Sequence, residues 1–149
     1  VFADGLQYPT SVLPWRNGIL VIQPPDILWL QDKNNDGEAE NQEVLFSGFP
    51  VGNTQHNITG LIWGLDNWIY AANGGNHGSG HAVNTPDASV SIRVMDFRFR
   101  PDTGELETSY QTTGGHGIAF DAWGRMFVTH NLDHVQHMVF RTSYLERNP

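Results

Sequence analysis

Apolar residues run through this chain in short stretches, broken at close intervals by Gly, Pro, Asn and Asp, and no segment holds an apolar period of 3.6 residues. Punctuated runs of this kind predict strands. They fall at 11-SVLPW-15, 18-GILVIQ-23, 27-ILWLQD-32, 43-EVLFSG-48, 59-TGLIWG-64, 68-WIYAAN-73, 90-VSIRVMDFRFR-100, 117-GIAFD-121, 125-RMFVTH-130 and 135-VQHMVF-140. The alternation is clearest in the seventh run. There Ile92, Val94, Asp96 and Arg98 face one way and Arg93, Met95, Phe97 and Phe99 the other. The turn 100-RPDTGE-105 should fold that strand back onto 106-LETSY-110, because Pro101 presets a turn φ and Gly104 accepts a positive one. The stretch 74-GGNHGSGHAVNTPDAS-89 has no apolar period and reads as a long loop, of the length that is usually functional or mobile.

The hairpin pattern repeats. The segments 11-SVLPWRNGILVI-22, 60-GLIWGLDNWIYA-71 and 117-GIAFDAWGRMFV-128 superpose without gaps. Each runs from a small residue and an aliphatic into a polar turn, then to an apolar pair opening a second strand. The shared turn position holds Gly18, Asn67 and Gly124, the residue types for which positive φ is cheap. A period of about 50 residues with four strands per unit marks a β-propeller blade. The expected fold is therefore all-β, a β-propeller with blades over about residues 1–52, 53–112 and an incomplete 113–149. A meander or sandwich with recurring hairpins is the competing architecture. Propellers close with about four to eight blades. Two to three blades should need further blades, from a longer chain or from other copies in an oligomeric ring, to cover their faces and edges.

Composition narrows the chemistry. A formal charge of −8, from 8 Lys and Arg against 16 Asp and Glu, lacks the clustered cations that a nucleic-acid partner requires. With no Cys there is no disulfide, thiolate metal site or thiol nucleophile in these residues. No apolar run is long enough to span a membrane, and no basic-then-apolar leader stands at Val1. A first residue other than Met points to a chain processed or cut from something longer.

Against this β background stands 32-DKNNDGEAENQE-43, which fits the calcium-loop pattern D-x-[DN]-x-[DN]-G-x5-E in full. The ligands would be Asp32, Asn34, Asp36, the carbonyl of Glu38, Glu40 and Glu43, with Gly37 at the sharp turn. Because the flanks are β-prone, a loop between two strands of one blade is expected rather than a helix-flanked one, and the ion would serve the fold. The alternative is an acidic hairpin that holds no ion.

Several runs together resemble a known family: 1-VFADGLQYPTSVLPWRNGILV-21, 26-DILWLQDKNNDGEAENQEVLFSGF-49, 56-HNITGLIWGLDNWIYAANG-74 and 96-DFRFRPDTGELE-107, with a weaker tail at 144-YLERNP-149. They look like the propeller domain of large secreted bacterial proteins named as membrane-bound dehydrogenases. Those are similar to soluble sugar dehydrogenases that use pyrroloquinoline quinone. The resemblance implies a six-bladed propeller, calcium, a periplasmic or secreted location and oxidation of a sugar or alcohol. It also places His56, ahead of 60-GLIWGLD-66, at the position of the general base that accepts the substrate's hydroxyl proton. Two departures stand against it: the positions matching that base's orienting carboxylate are Asn73 and Gly74, and 113-TGGHGIAF-120 lacks an expected Arg. The bland reading of His56 is a loop-end imidazole satisfied by backbone.

The other histidines are His77, His81, His116, His130, His134 and His137. His116 with 130-HNLDHVQH-137 could gather three imidazoles, as a zinc site or, more commonly, as polar lining of a channel. His77 and His81 should be exposed in the Gly-rich loop. Among the tryptophans, Trp29 and Trp63 are expected in blade packing rather than under a sugar. Two further functions stay open beside the dehydrogenase. One is a non-catalytic calcium-stabilised propeller that binds carbohydrate or protein. The other is a lactonase-like hydrolase, which would need Asn, Asp and Glu converging on the channel.

Overall fold

A computed structural model describes residues 1–112 and 115–147, so Thr113 and Gly114 of the 113–120 segment, and Asn148 and Pro149 of the weaker tail, lie outside it. The described chain is all-β. It folds as three successive antiparallel meanders.

The first meander joins β1 (Ser11–Trp15), β2 (Gly18–Gln23), β3 (Asp26–Gln31) and β4 (Asn41–Ser47) in sequence order. The second joins β5 (Thr59–Trp63), β6 (Ile69–Ala72), β9 (Met95–Arg100) and β10 (Glu105–Gln111), and the third β11 (Gly117–Phe120), β12 (Met126–Thr129) and β13 (Gln136–Met138). A four-residue helix, α1 (Thr142–Leu145), follows. Two short strands inside the second unit, β7 (Ser79–Ala82) and β8 (Val90–Ser91), leave it and extend the first sheet: β7 pairs with β4 through Phe46↔Ala82. The stretch 74–89 is thus not wholly a loop, and the run 90–100 breaks at Ile92–Val94 into two strands. Val94 takes a positive φ of 52° at that break.

Packing stacks the sheets face to face. Leu20, Ile22, Ile27 and Phe46 of the first sheet meet Ile69, Ala71, Phe97 and Phe99 of the second in one buried cluster. The opposite side of the second sheet presents Trp68, Tyr70 and Tyr110 to Met126 and Val128 of the third. All four residues of β6 are buried, because that strand is inside its sheet and covered on both faces. The outer face of the first sheet, with Val21, Leu28 and Leu30, is covered by Phe2, Ala3 and Leu6 of the N-terminal segment.

The first strands of the three meanders lie side by side. Thr10 Oγ1 donates to the Ile58 carbonyl (2.7 Å), Thr59 Oγ1 to the Thr10 carbonyl (2.9 Å), and the Leu61 amide to Ser11 Oγ (2.9 Å). A side chain at Gly60 would in turn meet the backbone of Gly117 and Ile118.

The repeated hairpins agree at two turns and part at the third. In the second and third units, Gly64 bonds to Trp68 and Asp121 to Arg125 across three-residue turns whose last residues, Asn67 (φ 59°) and Gly124 (φ 78°), are left-handed. The first hairpin closes on two residues between Trp15 and Gly18, and the positive φ falls on Arg16 (52°) instead. Gly18 is required for another reason. A Cβ there would sit 1.9 Å from the Leu30 carbonyl oxygen.

Candidate functional site

Three places gather chemistry-bearing residues. The first is the acidic loop between β3 and β4, which its own side chains fold. Asp32 accepts the amides of Asn35 (2.6 Å) and Gly37 (3.0 Å), Asn34 accepts that of Asp36 (2.9 Å), and Asp36 accepts that of Glu38 (2.9 Å). Left-handed Asn35 and Gly37 allow the chain to curl so tightly. Glu40 returns across the loop to take the Lys33 amide (2.7 Å). One oxygen each of Asp32, Asp36 and Glu40 then lie within 4.8 Å of one another, a span that Ca–O distances of about 2.3–2.6 Å can bridge. They form the one group of three or more acidic or imidazole side chains among the described residues that could hold a metal ion.

Glu43 does not join them. It sits on β4 opposite Trp29, where its Oε2 accepts from Gln31 Nε2 (3.4 Å). The cause is the strand setting: the antiparallel ladder Gln31↔Asn41, Trp29↔Glu43 begins at the residues adjoining Asp32 and Glu40 and draws position twelve down the sheet. The loop closes at position nine, Glu40, instead of twelve. The hairpin turn of the first meander braces its start, since Asn17 exchanges bonds with the Asp32 backbone.

The second place lies where β5 and β11 begin. Asn53 caps a single 3₁₀ turn, Thr54–His56, by accepting the Gln55 amide, and this turn sets His56 just ahead of β5. The His56 Nδ1 meets the carbonyl oxygen of Gly74 at 2.5 Å. A carbonyl can only accept, so Nδ1 carries a proton, and in the neutral ring the lone pair is then on Nε2. Gly74 can come this close only because it has no side chain: a Cβ would stand 2.7–2.8 Å from the backbone of His56 and Asn57. Asn76 closes the same contact, donating to the Asn53 carbonyl and to Asn57 Oδ1. His116, one residue ahead of β11, places its ring 6.1 Å from that of His56.

The three-imidazole grouping does not form. His116 joins His56, while His130 accepts from the Leu132 amide and His137 stacks on Phe127 at 4.9 Å. His77 is exposed as expected, but His81 is half-buried on β7, against Gly48. Trp29 packs edge-on to the buried Trp15 (4.7 Å), whereas Trp63 is 41% exposed and is not a blade-packing residue.

A third cluster, at the other end of the second sheet, was hidden in the sequence. Arg98, nearly buried, lies 4.3 Å over the Trp68 ring, donates to Asp66 (2.6 Å) and pairs with Glu107. Arg141 also reaches Asp66 (3.0 Å) and the Tyr70 hydroxyl. Burial works to raise the pKa of Asp66, but the Tyr70 hydroxyl, Arg98 and two backbone amides outweigh it and hold the carboxyl below its ordinary range. The same sheet buries Asp96, whose Oδ1 accepts the Asn73 amide (2.9 Å) and the Thr112 hydroxyl (3.1 Å). The only signal for Asp96 and Arg98 was membership in an alternating strand.

The chain belongs, over residues 1–149, to the family described as a domain of unknown function, DUF7133. No curated protein and no solved structure matches it.

Proposed function

We propose that the chain is a run of blades from a β-propeller of the six-bladed type, working within a periplasmic or secreted quinoprotein-like dehydrogenase that oxidises a sugar or alcohol. Three meanders with adjacent first strands and face-to-face packing support the propeller. The third meander has three strands where the others have four, and beside it Val139, Phe140, Tyr144 and Leu145 are exposed. Further strands, from a longer chain or another copy, would cover them.

The observation that carries the catalytic reading is the locked imidazole of His56. With Nδ1 donating to Gly74, the Nε2 of the neutral ring would take the proton of a substrate hydroxyl, beside the adjoining first strands. A carbonyl thereby does the orienting that the resemblance assigns to a carboxylate.

A quinone with three carboxylates needs cations, and the residues at His56 do not provide them. Of the eight Lys and Arg, Arg16, Arg98, Arg100, Arg125 and Arg141 pair with Asp102, Asp66 and Glu107, Glu105, Asp121 and Asp66 respectively, and neither these nor Lys33, Arg93 and Arg147 contact the His56 side chain among the described residues. Pyrroloquinoline quinone therefore does not fit this set of residues alone. That gap favours a second reading, a non-catalytic propeller that binds carbohydrate or protein.

Dye reduction with sugars and alcohols, after adding calcium and pyrroloquinoline quinone to the protein, separates the two. Turnover that falls at least about 100-fold in His56→Ala supports the dehydrogenase. Carbohydrate binding without turnover supports the second reading.

The Asp32–Glu40 loop is assigned calcium, held by Asp32, Asn34, Asp36, Glu40 and the Glu38 carbonyl as a brace for the first meander. Calcium should raise the melting temperature of the wild type and not that of Asp36→Ala. An equal response in both would remove the ion from the proposal.

A further inference from the structure

We propose that Asp96 is a positioning residue for His56: from the middle of the second sheet it fixes the turn whose Gly74 carbonyl holds the imidazole. The inference rests on the reading of His56 as a proton acceptor.

The connection is short and rigid. Asp96 Oδ1 accepts the amide of Asn73, the residue next to Gly74. Asn73 is itself buried and fixed at both ends of its side chain, donating from Nδ2 to the Ile92 carbonyl and accepting the Gly75 amide at Oδ1 (3.1 Å). On the far side the turn presses on the 3₁₀ segment. Besides the Gly74 contact, Asn76 N donates to the His56 carbonyl (3.3 Å), and a Cβ on Gly75 would stand 3.1 Å from His56 Nδ1. A turn clamped between Asp96 and His56 cannot shift at one end without moving the other.

Asp96 is also able to change state. It is fully buried, and its second oxygen, Oδ2, has no hydrogen-bond partner among the described residues. Burial raises its pKa to about 7, against the pull of the Asn73 amide and the Thr112 hydroxyl. No charged side chain from β5, β6, β10 or the third sheet contributes to that balance. When ionised, Asp96 accepts strongly from Asn73 and draws the turn inward. When protonated, it accepts more weakly and relaxes it. The arrangement sets the His56 hydrogen bond by the charge of a carboxyl that never touches the imidazole.

The test follows the Asp96 carboxyl carbon and the His56 ring nitrogens by NMR, in the intact chain, from about pH 4 to 9. The His56 signals should carry a second inflection at the pH where Asp96 titrates. Asp96→Asn, which keeps an acceptor for Asn73 and Thr112 but cannot ionise, should remove that inflection and leave the imidazole's own. Asp96→Ala should shift His56 toward the Nε2–H tautomer. A single inflection in the wild type, or wild-type and Asp96→Asn curves that superpose, would overturn the proposal. If neither variant folds, the wild-type curves decide alone. The readout needs no turnover, so absence of dehydrogenase activity leaves it intact, and activity without the second inflection would sink the relay while sparing the base.

Discussion

The two faces of the second sheet are buried by different means. Toward the first sheet everything is apolar: Phe97 stacks on Phe49 (4.9 Å) and Phe99 meets Phe46 edge-on (4.9 Å). Toward the third sheet the same strand β9 contributes Asp96 and Arg98, flanked by Asp66, Tyr70 and Arg141. The named contacts of the first interface include no titrating side chain. The second adds Asp96 and Arg98 to its apolar cluster, and Asp96 is the residue that reaches the candidate catalytic turn. A single strand can thus serve as rigid wall and as titrating element, because alternate residues answer to different neighbours.

The sharpest way to break the comparison is to damage the dry face. Phe99→Ala should cost about 3–5 kcal/mol, measured by denaturant unfolding, since a fully buried aromatic leaves a cavity that packed sheets cannot close. A loss below about 1 kcal/mol would mean that the two faces are not packed differently after all.

Next comes the pH dependence of the wet face. Asp96 has a folded-state pKa raised from 3.8 to about 7, so the folded state binds the extra proton. Its contribution is favourable below the unfolded value and is lost as pH rises from about 4 to 7, by at most about 4 kcal/mol at 1.36 kcal/mol per unit. Asp96→Asn should flatten that slope. Thermal melts across this range in both proteins check it.

Asp66 works in the other direction. Its folded pKa is depressed, so its contribution is present above about pH 4 and fades as pH falls through the folded value. Asp66→Ala should cost about 1 kcal/mol at neutral pH, discounted because the group is a third exposed, and should cost less in acid and in high salt. An effect of similar size belongs to the turn beside it. Asn67→Ala, forced to keep φ near 59°, should cost about 1 kcal/mol and leave the pH profile unchanged.

How much of this could be read from the residues alone varies with the range of the interaction. The strands β1 and β2 were legible to the residue, since apolar runs and the Arg16–Asn17 turn are local signals. β7 was not. Ser79–Ala82 has almost no apolar character and becomes a strand only because β4, more than thirty residues earlier, offers it an edge. The acidic loop was legible as far as Asp32, Asp36 and Glu40, whose spacing fits one tight coil. Glu43 was misplaced because the pattern assumes flanking helices, and the ladder between β3 and β4 carries it away.

His56 was singled out through the family resemblance, ahead of 60-GLIWGLD-66, yet what holds it could not be read. No residue pattern announces that a backbone carbonyl eighteen positions later will accept its hydrogen bond, or that His116 will come to face it. Sequence by itself determined the all-β class, the three hairpins, the left-handed turn residue in two of them and the acidic coil, because each depends on backbone preferences and side-chain alternation over a few residues. Tertiary structure decided which alternating faces were covered, and so which of Asp96, Arg98 and Trp63 were buried. Burial is a property of the neighbour that packs across, and that neighbour is set by the whole chain.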